Sequence, residues 1–373
     1  MNETNIVPLT RLTADTVEIV FLSVIIILGT ILNCIIFLQL IRQSRTPTAT
    51  TSFLSGPYQI NSFTLFKLNL CVTDLAILLV HALGKVVWLS TYEWPFGTIS
   101  CKVYQFLSVF TYYSNSNVVV AIGFDRLKVV YTSHIQGATS VRRVRYMVLL
   151  AWLFAAICSA PQLYVWTTIE VSTGWTQCST IWEIATFKHH SSKSFEQLQM
   201  IYELMHQAFV FWLPSLMLFF SYLLIVVRLL HYTFHSPINA RKQRRRSTTS
   251  LPLSPRLKFT PLITSIKIFD ISRSYRDFKR SRTAMKINDN GLLLRRTQTL
   301  PIWRRQLRSR VFLISLTVIA AHIALWLPYN IISTSRFISF EFFTWASEHG
   351  GRFLEDLIIV NSLINPIIYG CSV

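Results

Sequence analysis

Six stretches of this chain are long and apolar enough to cross a lipid bilayer as helices. A span needs about 20 mostly apolar residues. Val17 to Leu40, Leu65 to Leu89, Val103 to Val130, Tyr146 to Val165, Ala208 to Leu230 and Val311 to Ile332 all qualify. A seventh, Arg352 to Tyr369, is shorter and carries Glu355 and Asp356, so a hydropathy scan alone could pass over it. The expected fold is therefore an all-α membrane protein, a bundle of seven transmembrane helices with its termini on opposite sides. Composition agrees. Charged residues make up only 14% and mean hydropathy is +0.42, where a soluble domain carries roughly a quarter charged residues.

The net charge of +19 could by itself suggest nucleic acid. The basic residues, however, gather in alternate connections. Arg42 and Arg45 lie in the first, Lys128, Arg142, Arg143 and Arg145 in the third, and Arg241 to Arg246 with a further basic series in the fifth. The even connections are poorer in Lys and Arg and hold Glu93, Glu170, Glu183, Glu196, Glu341 and Glu348. Positive connections mark the cytoplasmic side, which puts the N-terminus outside and removes the case for nucleic acid.

The expected organisation follows. Residues 1–16 form an extracellular tail, 17–232 the first five spans, 233–307 a long basic cytoplasmic loop, 308–370 the last two spans, and 371–373 a very short terminus. The long loop should be largely disordered. Its Arg244-Arg245-Arg246-Ser247 stretch suits a basic-directed kinase or an anionic lipid surface. The first connection, rich in Thr, Ser, Pro and Gly, should be irregular. Asn2 opens an Asn-Glu-Thr sequon and could carry a glycan outside, or stay unused.

Polar residues inside the spans usually face a bundle interior. On the second span Asp74, His81 and Lys85 fall within about 20° of one line at 100° per residue. On the third, Gln105, Ser108, Tyr112 and Asn115 share a face that continues to Arg126. Asn115, Ser116 and Asn117 could equally be glue between helices. Cys34, Cys71 and Cys158 sit inside apolar runs. Cys101 and Cys178 sit at outer ends, where a bridge would pin the second outside loop over the bundle. There is no CxxC pair and no Cys/His cluster, so a metal site is not expected. Roughly 25 residues of helix, about 37 Å, separate Cys101 from Arg126. That places Arg126 at the cytoplasmic boundary beside Asp125, which can neutralise it.

These residues resemble the motifs of rhodopsin-like (class A) G-protein-coupled receptors. Asp125-Arg126-Leu127 resembles their DRY motif, Asn365-Pro366-Ile367-Ile368-Tyr369 their NPxxY, and Trp326-Leu327-Pro328-Tyr329 their CWxPY. Gly29 with Asn33, Leu70 to Leu75 around Asp74, Trp94-Pro95-Phe96-Gly97, Trp152, Pro214 and Tyr222 match further single marks, in order. Ser159-Ala160-Pro161-Gln162-Leu163-Tyr164 is similar to the gonadotropin-releasing-hormone, adipokinetic-hormone and vasopressin/oxytocin receptor group. Thr176-Gln177-Cys178 and His206 to Phe209 are similar to the first of these. An amine receptor would carry Asp where Ser108 stands.

The resemblance implies a plasma-membrane receptor for an extracellular ligand, most simply a neuropeptide, acting on a heterotrimeric G protein. It implies a ligand wall of Lys85, Gln105, Ser108, Tyr112, Gln162, Gln207, Tyr329, Asn330 and Glu355, with Trp326 at the floor. Trp326 could also be a packing residue. Lys85 and Glu355 could pair with each other or meet charges on the ligand. Asp125, Arg126, Tyr222, Asn365, Pro366 and Tyr369 would form the activation machinery. Asp74, Asn115, Asn361, Ser362 and Asn365 resemble a sodium-holding cluster; no other cofactor is implied.

Three departures stand out. Arg308 lies where many receptors place an acid, His322 replaces an aromatic residue one turn below Trp326, and the chain ends at Cys371-Ser372-Val373. The last point admits a second reading, a truncated, non-signalling protein that restrains a full-length receptor. A transporter should show internal symmetry of hydropathy, which is not seen, and no nucleophile-and-base set suggests an enzyme.

Overall fold

In a computed structural model the chain is described over residues 13–45, 62–131, 138–189, 192–246 and 310–370. Asn2, most of the first and fifth connections, Arg308 and Cys371 to Val373 lie outside the described residues. Seven helical spans are present among the described residues. The first is α1 (Thr13–Arg45). The second joins α2 (Ser62–Ala76) to α3 (Leu83–Thr91) through a π-helical stretch, Ile77–Ala82. The third is α4 (Gly97–Tyr131) and the fourth is α5 (Ala138–Ser159), followed by the short α6 (Gln162–Val165).

A hairpin of β1 (Trp166–Ser172) and β2 (Trp175–Thr180) comes next, then α7 (Ile181–Phe187). The fifth span joins α8 (Lys193–Gln207) to α9 (Leu213–Arg246) through a second π-helical stretch, Ala208–Trp212. The sixth is α10 (Arg310–Ser335). A loop helix, α11 (Phe340–Ala346), leads through a third π-helical stretch, Ser347–Gly351, to the seventh, α12 (Arg352–Gly370). Met1–Leu229 with Gln306–Val373 form one unit and Leu230–Arg305 a second.

Several predicted boundaries move. Helix α1 begins at Thr13, inside the stretch assigned to the tail, and runs on to Arg45. The fifth helix starts at Lys193 rather than Ala208 and its backbone stays helical to Arg246, inside the stretch expected to be disordered. Helices need not end where the hydrocarbon ends, and the Ala, Arg, Lys and Gln of 240–246 are good helix formers. The π-helical stretch before Pro214 has its own cause: proline lacks an N–H and crowds the carbonyl four residues back, which a wider turn relieves.

The expected weak span is not the weak one. The seventh helix is long and apolar enough to cross a membrane by composition, and the helix that falls short is α4. Its inward face carries Ser108, Thr111, Ser114, Asn115 and Ser116, each 3% exposed or less. A helix surrounded by other helices meets little lipid and need not be apolar all round. Helix α1 shows the opposite arrangement. Val17, Val20, Val24, Ile27, Leu28 and Ile31 stay exposed, a face for lipid.

Two buried apolar clusters fill the bundle. The inner one includes Leu40, Phe66, Leu70, Val119, Leu218 and Tyr369. The outer one includes Leu22, Ile77, Tyr112, Phe211, Trp326 and Ile359. A third, smaller cluster caps the outside, where Trp94 packs against the disulfide formed by Cys101 and Cys178. That bond joins α4 to β2. The hairpin reverses at Gly174, whose φ of +78° favours glycine, and the Gly174 N–H donates to Glu170 Oε1 at 3.1 Å.

Candidate functional site

The outer half of the bundle encloses a cavity of about 480 Å³. Nine of the ten predicted ligand residues line it: Gln105, Ser108, Tyr112, Gln162, Gln207, Trp326, Tyr329, Asn330 and Glu355. They come from helices far apart in sequence. The tenth, Lys85, lines a side cavity of about 540 Å³ that shares His81, Gln105, Trp166 and Glu355 with the first.

Some of these side chains are already held. Gln207 donates through Nε2 to Ser333 Oγ at 2.5 Å and accepts from Thr334 Oγ1 at 2.6 Å, tying the fifth span to the sixth. Gln162 Oε1 accepts from Trp166 Nε1 at 2.7 Å. Others have polar atoms without a bond in the protein: Tyr112 Oη, Trp326 Nε1 and both ring nitrogens of His81. Buried polar groups need partners, so these are points where a polar ligand or water would bond.

A line of rings leads inward from the cavity. His81 lies 4.7 Å from Tyr112, Tyr112 lies 5.6 Å from Trp326, and Trp326 lies 4.5 Å from His322, centroid to centroid. His322 thus keeps a ring contact with Trp326 although it replaces the usual aromatic. Asp74, His81 and Lys85 of the second span were expected to share one line. The π-helical stretch Ile77–Ala82 breaks the 100° spacing there, yet Asp74, His81 and Lys85 all face inward.

Lys85 meets three carboxylates. Its Nζ is 2.8 Å from Glu18 and Asp356 and 3.7 Å from Glu355. The expected pairing with Glu355 is present, but two nearer acids accompany it. Neither was expected as part of the site. Both sit on inward faces of their helices, and that phase could have pointed to them. Sequence reasoning also passed over the Glu203–Arg336 ion pair at the mouth, 3.1 Å long, and the hairpin. Trp166 to Ser172, followed by Thr173-Gly174, carried a strand-and-turn signal.

Below Trp326 lies a second polar group. Asp74, Asn115, Asn361, Ser362 and Asn365 are each 0% exposed. Asn365 Nδ2 donates to Asp74 Oδ1 at 3.0 Å and Oδ2 at 3.2 Å, and Asn115 Nδ2 donates to Oδ1 at 3.0 Å. Tyr369 Oη donates to Asn33 Oδ1 at 3.3 Å and Asp74 Oδ2 at 3.5 Å. Asn361 has neither side-chain atom bonded, and the Oδ1 atoms of Asn115 and Asn365 are also unbonded. A carboxylate flanked by uncommitted neutral oxygens has the donor chemistry of a hard-cation site.

At the cytoplasmic boundary Asp125 pairs with Arg126 and also accepts from Arg143 Nη2 at 2.5 Å. Arg126 lies over the Phe63 ring at 5.3 Å. Tyr222 Oη donates to Ser315 Oγ at 3.4 Å, linking the fifth and sixth spans. The third-span pair was expected; the Arg143 contact was not.

The family described as 7 transmembrane receptor (rhodopsin family) matches residues 33–369. The chain belongs to that family. It is a multi-pass plasma-membrane protein of a family of signalling receptors, not enzymes. It is 28% identical to the G-protein coupled receptor daf-38 of Caenorhabditis elegans over 96% of this chain and 88% of that one. It is 23% identical to a gonadotropin-releasing hormone receptor of Octopus vulgaris, covering 94% and 71%. Nematocin receptor 2 of C. elegans is 22% identical, covering 83% and 68%.

Proposed function

We propose that the protein is a receptor for an extracellular peptide and activates a heterotrimeric G protein. The observation that carries this reading is the outer cavity with its line of rings. A cavity of about 480 Å³ with mixed polar and aromatic walls, adjoined by the side cavity, has room for part of a short peptide, and Ser108 on its wall lacks the carboxylate a small amine would need. Similarity to receptors named for peptide hormones supports the same reading. His81, Tyr112, Trp326 and His322 join the cavity to the part of α10 where Pro328 interrupts the backbone bonding. Ligand contacts that differ between two arrangements of this line would shift their balance.

In the geometry described, the inner machinery is tied down. Arg126 is held by Asp125, Tyr369 is 1% exposed, and Tyr222 is bonded to Ser315. Release of these three toward one another would open a cytoplasmic cleft for the G protein. A sodium ion in the Asp74 cluster would offset the buried carboxylate while the bundle is closed. Its ligands would be Asp74 with oxygens from Asn115, Asn361, Ser362 and Asn365.

The test is expression with a promiscuous G protein, reading calcium release against a library of amidated peptides. A dose-dependent response to one peptide is expected, weakened at least about tenfold by Gln162→Ala and abolished by Arg126→Ala. Silence to the library, with surface expression confirmed, would overturn the peptide reading.

A further inference from the structure

The side cavity lies between the outer ends of the second and third spans and the hairpin, and its walls have an unusual chemistry. Trp88, Trp166, Trp175, Tyr92 and Tyr104 supply most of them. The three indole N–H donors are already used. Trp88 donates to Gln177 Oε1 at 3.1 Å, Trp175 to the Tyr92 carbonyl at 3.0 Å, and Trp166 to Gln162 Oε1 at 2.7 Å. What these rings still offer a ligand is their π surface, which attracts cations.

The charge around the cavity points the same way. Lys85 is the cation among the lining residues, and it already faces Glu18, Asp356 and Glu355. One ammonium against three carboxylates leaves the group negative. Glu355 is the acid held most loosely, beyond hydrogen-bond distance at 3.7 Å, and its side chain is 34% exposed. It borders both cavities. His81 also borders both, is 9% exposed, and has neither ring nitrogen bonded. An imidazole nitrogen can accept from a charged N–H.

We propose that this side cavity is a second ligand subsite that takes an organic cation, the guanidinium or ammonium group of a basic peptide residue. It rests on the reading of the protein as a peptide receptor, and assigns the two cavities to two parts of one ligand. The body of the peptide enters the larger cavity. A basic side chain, or the free amino end, turns sideways between the tryptophans and Glu355. An anionic group finds few uncommitted donors among the described side chains of that wall, namely Gln105 and the single N–H of His81, both of which serve both cavities.

The full chain in nanodiscs would be unfolded by heat with millimolar Nα-acetyl-arginine amide, Nα-acetyl-lysine amide or the neutral isostere Nα-acetyl-citrulline amide. Binding to the folded state raises Tm. A rise of about 2 °C or more is expected with arginine amide, lysine amide or both, and none with citrulline amide; which of the two acts identifies the group preferred. Glu355→Gln and Trp175→Ala should erase the rise, and Trp175→Phe should keep it. Glu355→Gln serves where the tryptophan variant fails to fold, since that side chain is partly exposed. An equal rise with citrulline amide, no rise with either cation, or a full rise in Glu355→Gln would overturn the subsite. The measurement needs no G protein, so it can fail while the calcium response to a peptide stands.

Discussion

Asn33 donates its side-chain amide to the Ser362 carbonyl at 2.9 Å, from the first span to the seventh. In an uninterrupted helix that carbonyl would accept from the N–H of residue 366, but Pro366 has none. The first helix thus repairs the gap the proline opens in the seventh. The same amide also donates to the Gly29 carbonyl at 2.9 Å, which fixes its position. Asn33→Ala should lower stability by about 1–3 kcal/mol, the usual cost of a buried group left unpaired. In a Pro366→Ala background the restored N–H can bond Ser362 directly, so the Asn33 substitution should cost less. Thermal unfolding of the four proteins of this cycle tests the coupling. Equal costs in both backgrounds would rule the repair out.

Arg143 and Arg126 share Asp125. Removing Arg143 leaves Arg126 the whole carboxylate, but loosens the anchor that holds Asp125 against the fourth span. Arg143→Ala should raise ligand-independent nucleotide exchange several-fold at matched surface expression. Unchanged basal exchange would show that the contact does not restrain the closed form.

The Asp74 cluster makes a salt-specific prediction. Replacing choline chloride by sodium chloride at constant ionic strength should raise Tm, because a ligand bound only to the folded, closed bundle stabilises it. Asp74→Asn should abolish the difference, since the carboxylate is the charged member of the group. A rise of the same size in the variant would remove sodium from the cluster.

The ring pair of His322 and Trp326 tests the inward line. His322→Phe keeps a ring against the indole and should leave the peptide dose–response within about threefold. His322→Ala removes it and should lower the maximal response at unchanged binding affinity, the pattern of a transmission step rather than a contact. Loss of affinity in His322→Ala with a normal maximum would place the residue in the ligand wall.

Much of the bundle was legible in the residues. In hydrocarbon a chain segment must satisfy its own backbone bonds, so an apolar run of sufficient length has one available structure. Lys and Arg then choose which side each connection faces. The residues that line the outer cavity were legible because they lie on inward helix faces set by residue order. The hairpin was missed because its strands are short and sit between stronger signals.

Sequence alone determined the number, order and orientation of the spans and the side chains that face inward. Tertiary structure decided which partners those side chains found. Arg143 reaching Asp125, Asn33 reaching Ser362, and Glu18 and Asp356 joining Glu355 at Lys85 all depend on how far each helix is rotated and shifted against its neighbour. Periodicity sets which face a residue occupies. Packing, with the three π-helical stretches among the described residues, sets its height and partner. Contacts of 2.5–3.5 Å depend on that last adjustment.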